Sequence, residues 1–216
     1  RHDPAAPTLT NEVTTIAAFD PHVFISMTAG NPCLLAIQEV EASGLLDRLS
    51  AAFTPSVCKG VAAYMAPAGM AADGWWIVGG GVKDITDPQY IDEPFVEFIH
   101  ETLRGGGLDP SISMLGTGYY FAVPWTETLR IANELPGGMT RTNVILAARN
   151  LHIWHPLMMD GITYALDGAA DAYAIEGSDF SRFDAEAQTW NQIGDLVDAN
   201  GGTPPCAWDK ANGGCR

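Results

Sequence analysis

Three groups of residues in this sequence have the types and spacing to do chemistry. His152 and His155 lie three apart in HIWHP. On a helix, that spacing lets two imidazoles share a metal ion. Pro156, with Ile153 and Trp154 alongside, argues against a helix, and no third ligand stands close in sequence. Surface or packing histidines are therefore expected, and no metal. Gly79, Gly80 and Gly81 end an apolar run. Such a turn can cradle a phosphate, but neither GxGxxG nor a following Lys-Ser/Thr is present, so a turn is expected. Thr28-Ala29-Gly30-Asn31 joins the apolar run His22–Met27 to a helical pattern. Small residues there let a ligand approach the backbone. The Thr28 hydroxyl and Asn31 amide offer hydrogen bonds, and the helix N-terminus favours an acceptor or anion. The competing reading is a tight strand-to-helix connection. A catalytic set is harder to assemble. No GxSxG occurs, and most carboxylates fall in turns or on solvated helix faces.

Cys33, Cys58, Cys206 and Cys215 are the four cysteines. An even count fits two disulfides and an oxidising compartment, although four cysteines allow three pairings. Proximity favours Cys206 with Cys215, which flank the polar, Gly-rich AWDKANGG. A bridge there contributes about 2 kcal/mol by loop entropy. Cys33 with Cys58 follows by elimination. A zinc site is the rival, but no CxxC pair exists. Four buried thiols are the plain alternative, and Cys33 as a nucleophile would need a distant His.

The elements that must position these residues are legible in part. The 216 residues are 47% apolar and 17% charged, enough to build a core. Eleven Lys+Arg against 26 Asp+Glu leave a net charge of −15. That gives no electrostatic footprint for nucleic acid or for an anionic membrane surface. No apolar stretch is unbroken enough to span a bilayer. The sequence opens at Arg1 with no signal-like segment, so a removed or missing upstream portion is expected. Residues 8–19 place Val13, Ile16 and Ala17 on one helical face. His22–Met27 suits a buried strand. Asn31 as N-cap, Pro32 at the first helical position and Gly44 as stop frame a helix. Helix, strand, loop, helix is the pattern of a parallel sheet covered by helices. Ala52–Val57 is compatible with a strand, and Trp75–Gly80 reads as another. Pro94–Arg104, about Met114–Leu135 and Thr140–Asn150 read as helices. ITYALDG, ADAYAIEGSDF and AQTWNQIGDLVD alternate and read as antiparallel strands. The fold class expected is α/β.

Read in order, several stretches resemble the latter half of the type I periplasmic solute-binding proteins of ABC transporters, in the branched-chain amino acid (leucine/isoleucine/valine-binding) family. They are VTTIAAFDPHVFISMTAGN, AIQEVEASGL, AADGWWIV, PFVEFIHETL, GYYFAVPWTETLRIANEL and LMMDGITYALDG. Together they span nearly the whole chain, and their order carries more weight than any one of them. The resemblance implies two α/β lobes joined by a hinge, with a small organic solute held between them and released unchanged. It implies a protein of twice this size, with the N-terminal half absent here. By resemblance, 1–85 belong to the second lobe and 86–184 return to the first. Residues 185–216 cross back and end in a disulfide-closed tail. It also implies no enzyme activity, no cofactor, a monomer and an ABC permease as membrane partner. The location implied is periplasmic or extracellular, with a signal and a lipidated N-terminal Cys as anchor.

The ligand contacts implied are Thr28, Ala29, Gly30 and Asn31, then Pro67, Ala68 and Met70 within Tyr64–Met70. Tyr119, with Tyr120 and Trp125, is a weaker candidate for which core packing is the simpler reading. Amino-acid binders carry an acidic residue where Met70 stands, four before the glycine of AADG. A thioether cannot balance a buried ammonium. A more apolar solute is therefore expected: an aromatic acid, an amide or a sterol-like compound. The alternatives are a receptor ectodomain of the same fold and an amidase or hydrolase lobe with catalytic residues elsewhere.

Overall fold

The structure, a computed structural model, describes residues 2, 3, 5–168, 170–202 and 204–215, so the terminal Arg1 and Arg216 lie outside the described residues. The chain forms two compact units. One comprises Arg1–Gly116 and Asp179–Asp195, the other Thr117–Ser178 and Leu196–Arg216.

The first unit is built on a five-stranded sheet in the order β1-β2-β3-β7-β8. β1 (Val23–Ile25), β2 (Ala51–Pro55) and β3 (Trp76–Val78) are parallel, and β7 (Phe180–Asp184) and β8 (Thr189–Gln192) add an antiparallel hairpin. Alternation decides which side is covered. Phe24, Ala52, Thr54, Ile77, Phe183 and Trp190 point to the buried side. Val23, Ile25, Val78 and Phe180 point to the other side and stay exposed. α1 (Thr10–Ala17) and α2 (Asn31–Ala42) supply Val13, Ile37 and Val40 to the core beneath the first side. Each fully buried aliphatic there contributes roughly 1.5–3 kcal/mol.

One local expectation is corrected. Asn31 does not cap α2; it is the first helical residue, Gly30 is the N-cap at φ 65°, and no side chain closes the helix end. Gly30 is needed because other residues rarely adopt that left-handed angle.

The Ala- and Gly-rich stretch 61–72 is helical throughout, although it carries little periodicity. A π-helical turn at Val61–Met65 runs into α3 (Ala66–Ala68) and a 3-10 turn at Gly69–Ala72. The Asp84 carboxylate accepts from Val61 N at 2.8 Å, and Thr86 Oγ1 from Ala62 N at 3.1 Å, which caps the π turn. α4 (Pro94–Gly105) buries Val96, Ile99 and Leu103 as one stripe. Its N-cap Glu93 makes no capping bond and instead accepts from Lys83 Nζ at 2.8 and 2.9 Å.

α5 (Met114–Glu134), most of which lies in the second unit, tolerates Pro124 in its interior. Thr128 Oγ1 donates to the Pro124 carbonyl at 2.7 Å. Thr140 caps α6 (Arg141–Arg149) by accepting from Asn143 N at 3.1 Å. β4 (His152–Ile153) pairs with β5 (Tyr164–Ala165), and β6 (Gly177–Ser178) with β9 (Val197–Asp198). β10 (Trp208–Asp209) pairs with β11 (Gly214–Cys215). The tail is antiparallel as its alternation predicts, but its strands outside the five-stranded sheet are two residues long.

The bridges are Cys33–Cys58 and Cys206–Cys215, and no cysteine is free among the described residues. The zinc and thiol readings fall away.

Candidate functional site

In a parallel sheet the loops beyond the carboxyl ends of the strands are where a ligand can meet backbone N–H groups and helix ends. In the first unit three such ends lie side by side. Ile25 aligns with Phe53, Phe53 with Trp76, and Pro55 with Val78. The chain beyond them is Ser26–Asn31 after β1, Ser56–Cys58 after β2 and Gly79–Gly81 after β3. Met27 is 82% exposed, Val57 58% and Val78 42%, so this rim is apolar and open.

The four residues singled out after β1 divide. Ala29, Gly30 and Asn31 are exposed. Thr28 turns inward, and its hydroxyl pairs with Ser26 Oγ at 2.8 Å. Its hydroxyl also lies 3.6 Å from Cys58 Sγ, and its carbonyl 3.5 Å from the same sulfur. A bridged sulfur carries no proton, so only the hydroxyl can donate in this contact. Thr28 therefore fixes the loop rather than presenting a hydroxyl to solvent. The Cys33–Cys58 bridge joins the first turn of α2 to the loop after β2. It holds the loops after β1 and β2 together.

The three glycines hold an anion that belongs to the chain. Gly81 N donates to Asp179 Oδ1 at 3.0 Å, and Gly79 N donates to the Asp179 carbonyl at 2.9 Å. A Cβ at Gly79 would run into the Asp179 carboxylate. Lys59 Nζ, 2.8 Å from Asp179 Oδ2, and Ser181 Oγ, at 2.6 Å, complete the arrangement. Burial pushes the Asp179 carboxyl up, but the Lys59 charge and the bonds from Lys59, Ser181 and Gly81 outweigh it and hold it below the ordinary carboxylate range. The turn is thus filled by Asp179, and Lys59 is spent on the same pair. Sequence reading missed Lys59 and Asp179 because they stand 120 residues apart. It also missed Ser56 and Val57, although pairing Cys58 with Cys33 pointed to that loop.

Pro67, Ala68 and Met70 stand elsewhere. They precede the turn at Asp73–Gly74 that enters β3, toward the amino ends of the strands. Asp73 Oδ1 accepts from Ala185 N at 3.1 Å there, and Gly74 N donates to the Phe183 carbonyl at 2.9 Å. The structure does not bring Met70 to the rim with Asn31. Met70 therefore gives no ground at this rim for excluding an ammonium; the rim's exposed surface is apolar in its own right. Tyr64 is buried, its hydroxyl donating to Met114 Sδ at 3.8 Å, and burial raises its pKa. Tyr119 lies half-buried on α5 in the second unit.

His155 is a packing residue. It is buried, with Nε2 donating to the Tyr120 carbonyl at 2.8 Å and Nδ1 accepting from Leu157 N at 3.1 Å. That pair of bonds assigns the neutral tautomer. Its ring lies 4.7 Å from Tyr120 and 6.0 Å from Tyr164, centroid to centroid. Burial lowers its pKa, and burial pushes Tyr120 up to about 12. His152 is exposed on β4. Among the described residues, no three His, Cys, Asp or Glu cluster as a metal would need.

No protein-family model matches this sequence, and no curated protein is similar to it in sequence. Solved structures do share its fold. A branched-chain amino acid ABC transporter protein from Thermus thermophilus with bound valine is 15% identical, with a TM-score of 0.64 over 88% of this chain and 49% of its own. A solute-binding protein of an ABC transporter from Rhodopseudomonas palustris HaA2, in complex with p-hydroxybenzoic acid, is 12% identical, with a TM-score of 0.67 over 98% and 53%. A fatty acid ABC transporter substrate-binding protein from Thermomonospora curvata is 15% identical, with a TM-score of 0.69 over 91% and 48%. The fold is that of the type I periplasmic solute-binding proteins, and the chain spans about half the length of these structures. Among the described residues, no helix is long and apolar enough to cross a membrane.

Proposed function

We propose that this chain is part of a solute-binding protein that serves an ABC importer. Its first unit supplies one wall of the solute site, and the solute leaves unaltered. The observation that carries this reading is the rim at the carboxyl ends of β1, β2 and β3. Met27, Val57 and Val78 give it exposed apolar surface. The exposed Ala29–Asn31 backbone at the start of α2 gives it polar contacts. Lys59 and Asp179, the cation and anion at the glycine turn after β3, are already paired. A wall of this kind suits an organic solute with a large apolar part and one acceptor group, such as an aromatic acid or an acyl chain. That solutes of both kinds accompany proteins of this fold supports the choice.

Function would follow from closure. A second lobe shutting over the rim excludes water, which strengthens the few polar contacts and makes the apolar ones favourable. The closed form would dock on a membrane permease. By the same reading, the first unit, about 1–116 with 179–195, belongs to one lobe, in a periplasmic or extracellular protein anchored by a lipidated N-terminus.

Titration calorimetry on the full-length polypeptide with benzoate, 4-hydroxybenzoate, decanoate, leucine and valine tests it. An aromatic or acyl solute should bind without turnover. Val57→Asp should weaken that solute at least about tenfold, because a charge would be desolvated on closure. Binding of leucine and valine alone would overturn the solute class. Unchanged affinity in Val57→Asp would overturn the site, and conversion of any solute would overturn the function.

A further inference from the structure

The seven methionines divide by exposure. Met65 and Met158 are buried, and Met159 is half-buried. Met27, Met70, Met114 and Met139 are exposed, and Met27 leads them at 82%. A thioether is an apolar group that a peroxide converts into a polar one, and access decides which methionine reacts. Three of the four exposed methionines belong elsewhere. Met139 lies in the loop before α6 in the second unit. Met70 lies in the 3-10 turn Gly69–Ala72. Met114 opens α5, and its sulfur already accepts from the Tyr64 hydroxyl at 3.8 Å. Met27 stands at the rim itself.

The local structure keeps it there. β1 is the edge strand of the five-stranded sheet, and alternation along it decides where each side chain points. Phe24, Ser26 and Thr28 turn to the buried side, whereas Ile25 and Met27 stay exposed. Both neighbours of Met27 are held. Ser26 N donates to the Phe53 carbonyl of β2 at 2.8 Å, and the Ser26 and Thr28 hydroxyls pair at 2.8 Å. The Met27 backbone therefore has little freedom to withdraw its side chain from the rim. A cavity of about 420 Å³ opens beside it, bordered by Ile16, Ile25 and Met27, with room for a water-sized oxidant. The two disulfides suit an oxidising compartment, where such oxidants arise.

We propose that Met27 is a site of reversible oxidation that controls solute capture at the rim. Hydrogen peroxide transfers one oxygen to the Met27 sulfur. The O–O bond breaks and an S–O bond forms; the sulfur is oxidised, and the peroxide is reduced and leaves as water. The sulfoxide is a polar acceptor in place of an apolar side chain. Closure over an apolar solute would desolvate it without a partner, and it would face the acceptor group of an acid; both disfavour binding. A sulfoxide reductase, taking two electrons from a pair of thiols, removes the oxygen as water and restores the thioether. The control of capture rests on the solute reading above; the reactivity of Met27 does not.

Peptide mapping by mass spectrometry after hydrogen peroxide treatment of the full-length polypeptide is the first measurement. Met27 should gain an oxygen at least about tenfold faster than Met65 and Met158. Calorimetry with 4-hydroxybenzoate and decanoate is the second. Oxidation should weaken the probe that binds about tenfold or more, with the urea midpoint unchanged, and sulfoxide reductase should restore the affinity. Met27→Leu removes the sulfur and keeps an apolar side chain, and should lose no affinity on peroxide treatment. Met70→Leu should lose as much as the parent. A Met27 that stays unoxidised while Met65 reacts would overturn the proposal. So would an oxidised Met27 that binds as the parent does, a loss matched by a fall in the urea midpoint, or an equal loss in Met27→Leu. A parent that binds neither probe before oxidation overturns the solute reading instead, and the control of capture with it.

Discussion

The two compact units bury polar groups in opposite ways. The first keeps charges and neutralises them in place: Lys59 with Asp179 beneath the glycine turn, and Lys83 with Glu93. Asp87, fully buried, accepts from Gln89 N, Thr189 Oγ1 and Trp190 N, fastening the loop before α4 to β8. The second unit buries a neutral imidazole between phenol rings, and its ribbons are two residues long. Charged pairs inside a protein are costly to break because the survivor stays desolvated. A neutral imidazole costs little until acid protonates it. The units should therefore fail under different stresses.

The largest effect is expected at Lys59. Lys59→Met leaves Asp179 charged and unpaired, and should cost about 3–5 kcal/mol in urea unfolding followed by Trp75 and Trp190 fluorescence. Adding Asp179→Asn should recover part of it. A single variant as stable as the parent would remove the contrast.

Next comes the bridge that ties the two rim loops. Cys33→Ser with Cys58→Ser opens a loop closed over 25 residues and should cost about 3 kcal/mol. Reduction of the parent opens both bridges and should cost at least as much in the same urea titration.

Acid should separate the units. The folded pKa of His155 lies below the ordinary imidazole value, so its contribution is whole above about pH 6.5 and is lost as pH falls below it. Asp179, held low, loses its contribution only below the carboxylate range. Asp84, raised by burial, gains on acidification and offsets part of that loss. Loosening at Tyr120 and Tyr164 as the pH falls below about 6.5, seen by NMR before any change at Trp75, is the expected order. Simultaneous change would contradict it. His155→Phe should abolish the early phase.

A smaller effect belongs to α6. Thr140→Ala removes the bond to Asn143 N and should cost about 1 kcal/mol. Smallest is Arg130, exposed between Glu127 and Glu134; Arg130→Ala should be indistinguishable from the parent in the same titration.

Much of the scaffold was legible. Pro94–Arg104 was readable as the helix that is α4, and the apolar runs His22–Met27 and Trp75–Gly80 marked two of the parallel strands. The sequence from Val61 to Ala72 resisted reading because alanines and glycines give no periodicity. Its π turn depends on bonds to Asp84 and Thr86, more than twenty residues away. The loop after β1 was found from its small residues, but the inward turn of Thr28 was not. That turn depends on Ser26 and on the sulfur of Cys58.

Local chemistry determined the order of helices and strands, the α/β class and the pairing of the nearby cysteines, because each depends on neighbours in the chain. Tertiary structure alone decided that the glycine turn encloses Asp179 rather than a phosphate. It also decided that Met70 stands apart from Asn31, and that β1 has an open edge. Those outcomes depend on which distant residues meet, and the low dielectric between them makes a buried charge choose the partner that folding brings within reach.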